Sequence, residues 1–285
     1  MASTKDIRRR IRVVKNIEKI TSAMKMVAAA KLRKAQERAE AVRPYADKMR
    51  AVMGNLSASV GEIDHPLLQV REVQNAAYVI IGADRGLAGS YNANVMHKAI
   101  NDIEGRDAES VKLVLIGSKA ISFFRRRRYE IAAEFDPPGS DVTFADIREV
   151  TRKTRAMFES GEVDAVYLVY ARFVTAMRQD PTVVQLLPMS APAEDPDSAR
   201  ADYIFEPKAD VMLGTLLPRY VDTQLYQAFV ESQASEHGAR MTAMTAATKN
   251  AGEMIDNLTL QYNKARQAAI TTEIMEIVSG AEALN

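Results

Sequence analysis

The chain of 285 residues contains no cysteine, which excludes disulfide scaffolds, thiolate zinc sites and cysteine nucleophiles together. It also lacks any apolar run near the roughly 20 residues that a membrane-spanning helix needs. Its 38 Lys and Arg nearly balance its 37 Asp and Glu, so there is no overall charge to attract nucleic acid or an anionic membrane. The start, MASTKDIRRRIRVV, has no apolar segment or cleavage pattern of a secretory signal, which predicts an intracellular protein.

Signatures of catalysis are scarce as well. The three histidines, His65, His97 and His237, are scattered without the paired spacing of a metal site, and surface or packing roles are expected. GADRGLAGS, residues 82–90, stands where a dinucleotide fold holds pyrophosphate, but it is not G-x-G-x-x-G and no acidic residue closes the next strand. A structural turn is favoured over nucleotide binding. No catalytic residue, cofactor site or metal site is predicted.

The N-terminal region has the periodicity of one long helix. No proline precedes Pro44 and no glycine precedes Gly54. Apolar residues recur at steps of three or four, namely Ile7, Ile11, Val14, Ile17, Ile20, Met24 and Val27. A helix from about Thr4 to Ser57 would be roughly 80 Å long at about 1.5 Å per residue, with a kink expected at Pro44.

The C-terminal region repeats this behaviour with small residues. Its stripe contains Met241, Met244, Ala247, Ala251, Met254, Leu258, Tyr262, Ala265, Ala269 and Thr272. The mean step in both stripes is below the ~3.6 residues of a helical turn, which predicts a left-handed supercoil. An antiparallel coiled coil of the two terminal helices, across an inserted domain, is favoured over a helical bundle because no third helix of comparable length is visible.

The middle of the chain changes to the pattern of buried strands. All 10 tyrosines and 8 phenylalanines except Tyr45 and Tyr262 lie between Tyr78 and Phe229. The apolar runs AYVIIG, VKLVLIG and VDAVYLVYARF alternate with helical segments near residues 92–104, 118–127 and 144–160. EIAAEFD reads as a weaker strand, and TVVQLLPM as a return strand after a turn near Gln179, Asp180 and Pro181. This alternation predicts an α/β domain with a mainly parallel sheet covered on both faces.

Three regions follow from these patterns. The predicted boundaries are 1–58 for the N-terminal coiled-coil helix, 75–195 for the central α/β domain, and 208–285 for the C-terminal coiled-coil helix. Residues 191–207 are expected to form an exposed connection.

Polar clusters have competing interpretations. The basic runs Arg8–Arg10 and Arg125–Arg128 are expected to be solvated, because the apolar stripe continues through the first, the second lies at a helix end, and neither has aromatics to stack bases. Near the C-terminus, Arg266, Gln267, Thr271 and Glu273 stand on a surface of small residues. They form either a partner contact or an ordinary solvated face.

Three segments carry a resemblance to a known family. KNIEKITSAMKMVAAAKLRKAQ (15–36), ADRGLAGSYN (83–92) and YNKARQAAITTEIMEIVSGAEAL (262–284) closely resemble the gamma subunit of the F-type ATP synthase, and the likeness extends in order over essentially the whole chain. The resemblance implies a non-catalytic rotor shaft. Its antiparallel coiled coil would enter a head of three alpha and three beta subunits, with a Rossmann-like domain at the foot.

The resemblance also implies roles for particular residues. Arg266 and Gln267 would hydrogen-bond a catalytic beta subunit, with Thr271 and Glu273 beside them. Met24 and Arg240 would lie where the two helices approach the moving part of the beta subunits. Tyr203, in DYIFEP, would belong to the foot that meets the epsilon subunit and the ring of c subunits.

The expected location is the cytoplasmic face of a bacterial plasma membrane, held there only through the complex. No cofactor and no nucleic-acid partner is expected, and the coupling ion, H⁺ or Na⁺, stays open. Two other functions stay open: an oxidoreductase using the central domain, and a basic coiled-coil protein that binds nucleic acid.

Overall fold

The computed structural model describes residues 4–59, 65–106, 108–139, 142–189 and 209–282. The helices are α1 (Thr4–Ser59), α2 (Tyr91–Glu104), α3 (Ser118–Phe124), α4 (Phe144–Glu159) and α5 (Ala209–Glu282), with one 3₁₀ turn at Pro66–Leu68. The strands are β1 (Asn75–Ile81), β2 (Ser110–Ile116), β3 (Glu130–Phe135), β4 (Ala165–Phe173) and β5 (Gln179–Leu187). The chain forms two compact units, residues 1–27 with 241–285, and residues 28–240.

The sheet lies in the unit of residues 28–240. Its strand order is β3-β2-β1-β4-β5. The first four strands are parallel, and β5 pairs antiparallel with β4. The predicted Rossmann-like α/β domain with a mainly parallel sheet is therefore confirmed. The boundaries 1–58, 75–195 and 208–285 stay a prediction.

The two faces of the sheet bury two apolar layers, because successive side chains of a strand point to opposite faces. On one face, Ala77 and Val79 of β1 pack with residues of α4 and of the first half of α5. On the other face, Tyr78 and Ile80 pack with residues of α2 and α3. Both faces of the sheet are covered at β1. Its side chains are therefore buried on either side, which explains its continuous apolar run.

The predicted turn before β5 was wrong in position. Gln179, Asp180 and Pro181 lie within β5, where Pro181 pairs with Ala171. The turn precedes them, with reciprocal backbone hydrogen bonds between Thr175 and Arg178. Proline is tolerated here because β5 is an edge strand, so that its missing N–H need not meet a neighbouring strand.

Helix α5 passes over the carboxyl ends of the strands. Phe229 packs in the layer on one face of the sheet and Ala239 in the layer on the other. Between them, the Ser235 hydroxyl donates to the carbonyl oxygen of Ala171 in β4 at 2.8 Å. Open α/β sheets bind ligands in the crevice at this edge, where the strand order reverses. In this chain a segment of its own helix takes up that place.

Candidate partner-binding surface

The terminal helices run antiparallel in the unit formed by residues 1–27 and 241–285. The hydroxyl of Thr248 lies 2.9 Å from that of Thr21, and the Arg8 guanidinium donates to the Tyr262 hydroxyl. Residues nearer the start of α1 therefore lie opposite residues nearer the end of α5, so the two helices are antiparallel. The predicted pairing of the two ends is confirmed.

The seam between these helices follows a heptad. In α1 it contains Ile7, Ile11, Val14, Glu18, Thr21 and Lys25, all buried or partly buried. In α5 it contains Met241, Met244, Thr248, Ala251, Ile255, Leu258, Tyr262 and Ala265, also buried or partly buried. The steps alternate between three and four residues, a spacing that winds two helices left-handedly.

Part of the predicted seam was wrong. Ile17, Ile20 and Val27 are 47%, 58% and 57% exposed, and Met254 is 53% exposed. The heptad instead continues through the polar side chains of Glu18 and Thr21, which the apolar stripe passed over. Sequence reasoning followed hydrophobicity, whereas packing follows the period set by Ile7, Ile11 and Val14. The four apolar residues that the prediction placed in the seam therefore lie on the outer surface of the coiled coil.

Because the chain has no native cysteine, the register can be tested by crosslinking. We expect Thr21→Cys with Thr248→Cys to form a disulfide on mild oxidation, since their hydroxyls are 2.9 Å apart and disulfides need side chains in direct contact. The measurement is a mobility shift on a non-reducing gel. Ile20→Cys with Thr248→Cys is the matched control, because Ile20 faces outward. Equal crosslinking of both pairs, or none in the first, would contradict this register.

Beyond the seam, α5 continues as an unpaired tip, defined here as residues 266–282. Every tip residue from Arg266 to Gly280 is exposed, and α1 begins only at Thr4. Since Arg8 already meets Tyr262, the described part of α1 ends opposite the start of the tip. A single helix of this length is marginal alone, because most helical stability comes from tertiary packing.

The tip carries large apolar side chains that sequence reasoning missed. Ile270, Ile274 and Ile277 are 47%, 54% and 72% exposed, and Met275 and Val278 are 59% and 53% exposed. Spacings of three and four residues place Ile270, Ile274 and Ile277 on one side of the helix. Their spacing was visible in the sequence, but the predicted seam followed Ala265, Ala269 and Thr272 instead. Such a surface is typical of a partner contact.

The predicted partner residues lie in different parts of the structure. Arg266, Gln267, Thr271 and Glu273 lie together on the tip, all exposed. The Thr271 hydroxyl donates to the Gln267 carbonyl oxygen at 2.9 Å. Met24 is partly buried on the coiled coil, about 20 residues or roughly 30 Å along the helices from Arg266 at about 1.5 Å per residue.

The remaining two predicted residues differ. Tyr203 lies outside the described residues. Arg240 belongs to the unit of residues 28–240 and is turned inward, with its side chain 12% exposed and paired with Glu236 at 2.6 Å. It also donates to the carbonyl oxygens of Arg85 and Gly86 at 3.4 and 3.2 Å. Arg240 therefore ties α5 to the turn that follows β1.

That turn is GADRGLAGS, and its geometry supports the structural interpretation. Asn92 accepts from the Ala83 backbone N–H at 3.0 Å, and the Ser118 hydroxyl lies 2.7 Å from both the backbone carbonyl oxygen and the carboxylate Oδ1 of Asp84. A pyrophosphate site would present backbone N–H groups to its ligand. Here the carbonyl oxygens of Arg85 and Gly86 face the guanidinium of Arg240 instead.

The histidines take separate roles. His65 accepts from the Leu67 N–H at 3.2 Å, His97 is exposed, and His237 is buried. Burial, and then the charges of Arg240 and Lys31, lower the pKa of His237 to about 4. Within the described ranges, no group of three or more His, Asp or Glu could hold a metal ion, and no helix there is long and apolar enough to cross a membrane.

Comparison with known proteins identifies the family. The family model described as ATP synthase matches residues 3–284. The chain is 49% identical over 284 residues to the ATP synthase gamma chain of Desulforamulus reducens, covering 100% of both chains. It is 51% identical over 286 residues to that of Moorella thermoacetica, again covering 100% of both.

Solved structures show the same fold at lower identity. The chain is similar to one from the Euglena gracilis mitochondrial ATP synthase, OSCP/F1/c-ring, with a TM-score of 0.71, 20% identity, and coverage of 99% of this chain and 94% of that chain. A chain from the rotor of the same organism's enzyme gives a TM-score of 0.67 at 17% identity, covering 94% and 98%.

Proposed function

Because this chain belongs to the ATP synthase gamma chain family, we propose that it is the central rotor shaft of an F-type ATP synthase. It would couple ion translocation through the membrane c ring to conformational change at the catalytic beta subunits, without itself being catalytic. The observation that best supports this proposal is a two-helix coiled coil that ends in an exposed, unpaired tip. A stiff element with an uncovered end fits a shaft surrounded by other chains.

The asymmetry of this shaft supplies a mechanism. A single shaft inside a ring of three equivalent catalytic sites touches each site differently, so its contacts bias each site toward a different conformation. Rotation changes which site is biased. The exposed apolar residues of the tip and the outward Ile17 and Ile20 would be covered by the alpha and beta subunits that surround it.

Rotation also requires that no angle be a deep energy minimum. A well-filled contact centred on a large side chain can contribute about 2 kcal/mol or more, and several of these would trap the shaft. The tip alternates such residues with Ala268, Ala269, Thr271 and Thr272, whose contacts are shallow. Polar contacts to a beta subunit then favour particular rotation angles, and they are made by Arg266, Gln267, Thr271 and Glu273.

Other contacts are proposed along the chain. Met24 would approach the moving part of the beta subunits. Arg240 would contact the beta subunits only through the small exposed part of its side chain, which is 12% exposed. Tyr203 would belong to the foot that contacts the epsilon subunit and the c ring. The chain would lie at the cytoplasmic face of a bacterial plasma membrane and associate with it only through the complex.

Reconstitution tests this function. A probe would be attached to Arg126→Cys, because Arg126 is exposed and the chain offers no other cysteine. With the full chain assembled into an immobilised head of alpha and beta subunits, we expect ATP to drive stepwise rotation of the probe. Omitting the chain is expected to abolish the cooperativity of ATP hydrolysis. A stationary probe during hydrolysis, or unaltered cooperativity without the chain, would contradict the rotor.

A further inference from the structure

A cavity of about 250 Å³ remains beside α5 at the carboxyl edge of the sheet. It lies wholly within the unit of residues 28–240. Its walls come from the end of β1 and the following turn, from Pro137, Pro138 and Gly139 after β3, from Lys31 of α1, and from Phe229 to Arg240 of α5. This is the part of the ligand crevice that α5 leaves open.

One wall of the cavity holds an unsatisfied hydroxyl. Ser232 is 3% exposed, and its Oγ has no hydrogen-bond partner among the described residues. Its carbonyl oxygen, by contrast, accepts from the Tyr91 hydroxyl at 3.3 Å. Leaving a buried hydroxyl unpaired costs about 1–3 kcal/mol, and a ligand in the cavity would remove that cost.

The charges around the cavity favour an anion. Lys31, Arg85 and Arg240 line it against Asp84 and Glu236, and Glu236 is already paired with Arg240. Lys31 and the Arg85 guanidinium have no ion-pair partner within the described ranges. The local balance is therefore positive, although the whole chain carries a net charge of only +1.

His237 supplies a further donor. An Arg240 nitrogen lies 3.3 Å from His237 Nδ1, and since a guanidinium only donates, Nδ1 must accept. The ring proton of the neutral imidazole is then on Nε2. His237 is neutral near pH 7 mainly because it is buried, and the charges of Arg240 and Lys31 lower its pKa further.

From the cavity, its positive balance and its unsatisfied hydroxyl, the geometry points to a binding site for a small oxyanion, of the size of inorganic phosphate or a short carboxylic acid. Ser232 and Lys31 are its principal donors, with Arg85 and His237 beside them. The volume is below the roughly 300–1,000 Å³ of pockets for drug-sized ligands, so a dinucleotide does not fit. The apolar wall of Phe229, Pro137 and Pro138 lowers the local dielectric and strengthens these contacts.

The experiment is calorimetric titration of the full chain at low ionic strength, with inorganic phosphate, sulfate and succinate in separate arms. We expect saturable binding with one site per chain, and the preferred arm distinguishes a phosphate-like ligand from a carboxylate. Ser232→Ala removes a hydroxyl without breaking any hydrogen bond that it makes within the described residues. This variant should fold normally and bind about tenfold more weakly or worse, since a hydrogen bond to a charged group contributes about 1.5–3 kcal/mol.

Two lysine variants complete the test. Lys31→Gln removes a cation of the cavity and is expected to weaken binding by a similar factor. Lys34→Gln, on the same helix and exposed but outside the cavity, is the matched control and should bind like the unsubstituted chain. The absence of saturable binding in all three arms would overturn the site. Binding that is equal in Ser232→Ala, Lys31→Gln and Lys34→Gln would overturn it too, because such binding is only general attraction to surface cations.

Discussion

An assembled enzyme carrying Arg266→Ala and Gln267→Ala is expected to hydrolyse ATP about tenfold more slowly or worse, while its subunits still assemble. Both side chains are exposed on the tip, and neither forms a hydrogen bond within the part of the chain that the structure describes. Alanine is also the best helix former, so the tip itself should stay helical. A loss of turnover must therefore come from contacts with another subunit.

The magnitude follows from the chemistry of these contacts. A hydrogen bond to a charged group contributes about 1.5–3 kcal/mol, and each ~1.36 kcal/mol changes a rate tenfold. The measurement is steady-state ATP turnover of purified complexes, with subunit content checked by gel densitometry. Asn263→Ala with Lys264→Ala, one turn earlier and exposed, is the matched control. Unchanged turnover in the first double variant would show that Arg266 and Gln267 are an ordinary solvated face.

Gly117→Ala is expected to lower the free energy of unfolding by at least about 3 kcal/mol. Gly117 follows β2 with φ +92°, and an added Cβ would lie 2.4 Å from the carbonyl oxygen of Gly82. The strain of a left-handed backbone and the overlap with another backbone therefore add together. Neither can relax cheaply, because the Gly117 N–H is bonded to Phe135 at 3.0 Å and that of Gly82 to Ile116 at 2.9 Å.

Urea denaturation of the full chain, followed by circular dichroism, measures this loss. Gly139→Ala is the control, since a Cβ there meets nothing within 4 Å, and its effect should be within about 0.5 kcal/mol. Similar denaturation midpoints for the two variants would show that the close approach of Gly117 and Gly82 does not constrain the fold. Assembly with partner subunits should fail for Gly117→Ala in proportion to its loss of stability.

Much of the fold could be predicted because its signals are local. The runs AYVIIG and VKLVLIG are continuous apolar segments that form β1 and β2, and β1 from Ala76 and β2 from Leu113 are buried on both faces. The long helices α1 and α5 were visible from three-to-four spacing, and α1 continues through Pro44. The turn before β5 was misplaced because Gln179, Asp180 and Pro181 have turn composition, whereas pairing with β4 decided their conformation.

The candidate site was harder to predict because its signals depend on what covers each residue. Ile20 looks like a seam residue by hydrophobicity, but it is 58% exposed, and Ile270 on the tip is 47% exposed. The partner role of Arg240 stays a prediction, and the structure adds that its side chain donates to the carbonyl oxygens of Arg85 and Gly86. The cavity beside Ser232 combines residues from α1, α5 and two loops, and no local pattern could indicate that combination.

The sequence by itself determined the element types, the antiparallel pairing of the chain ends and the family, because periodicity, apolar runs and the three family segments are properties of consecutive residues. The tertiary structure alone decided which side of each helix is covered, that the unpaired tip begins near Arg266, and that α5 occupies part of the crevice where a dinucleotide would bind. The physical reason is that burial depends on partners distant in sequence. The hydrophobicity of a side chain sets how much free energy its burial would gain. Only the packing of the chain decides which side chains are buried.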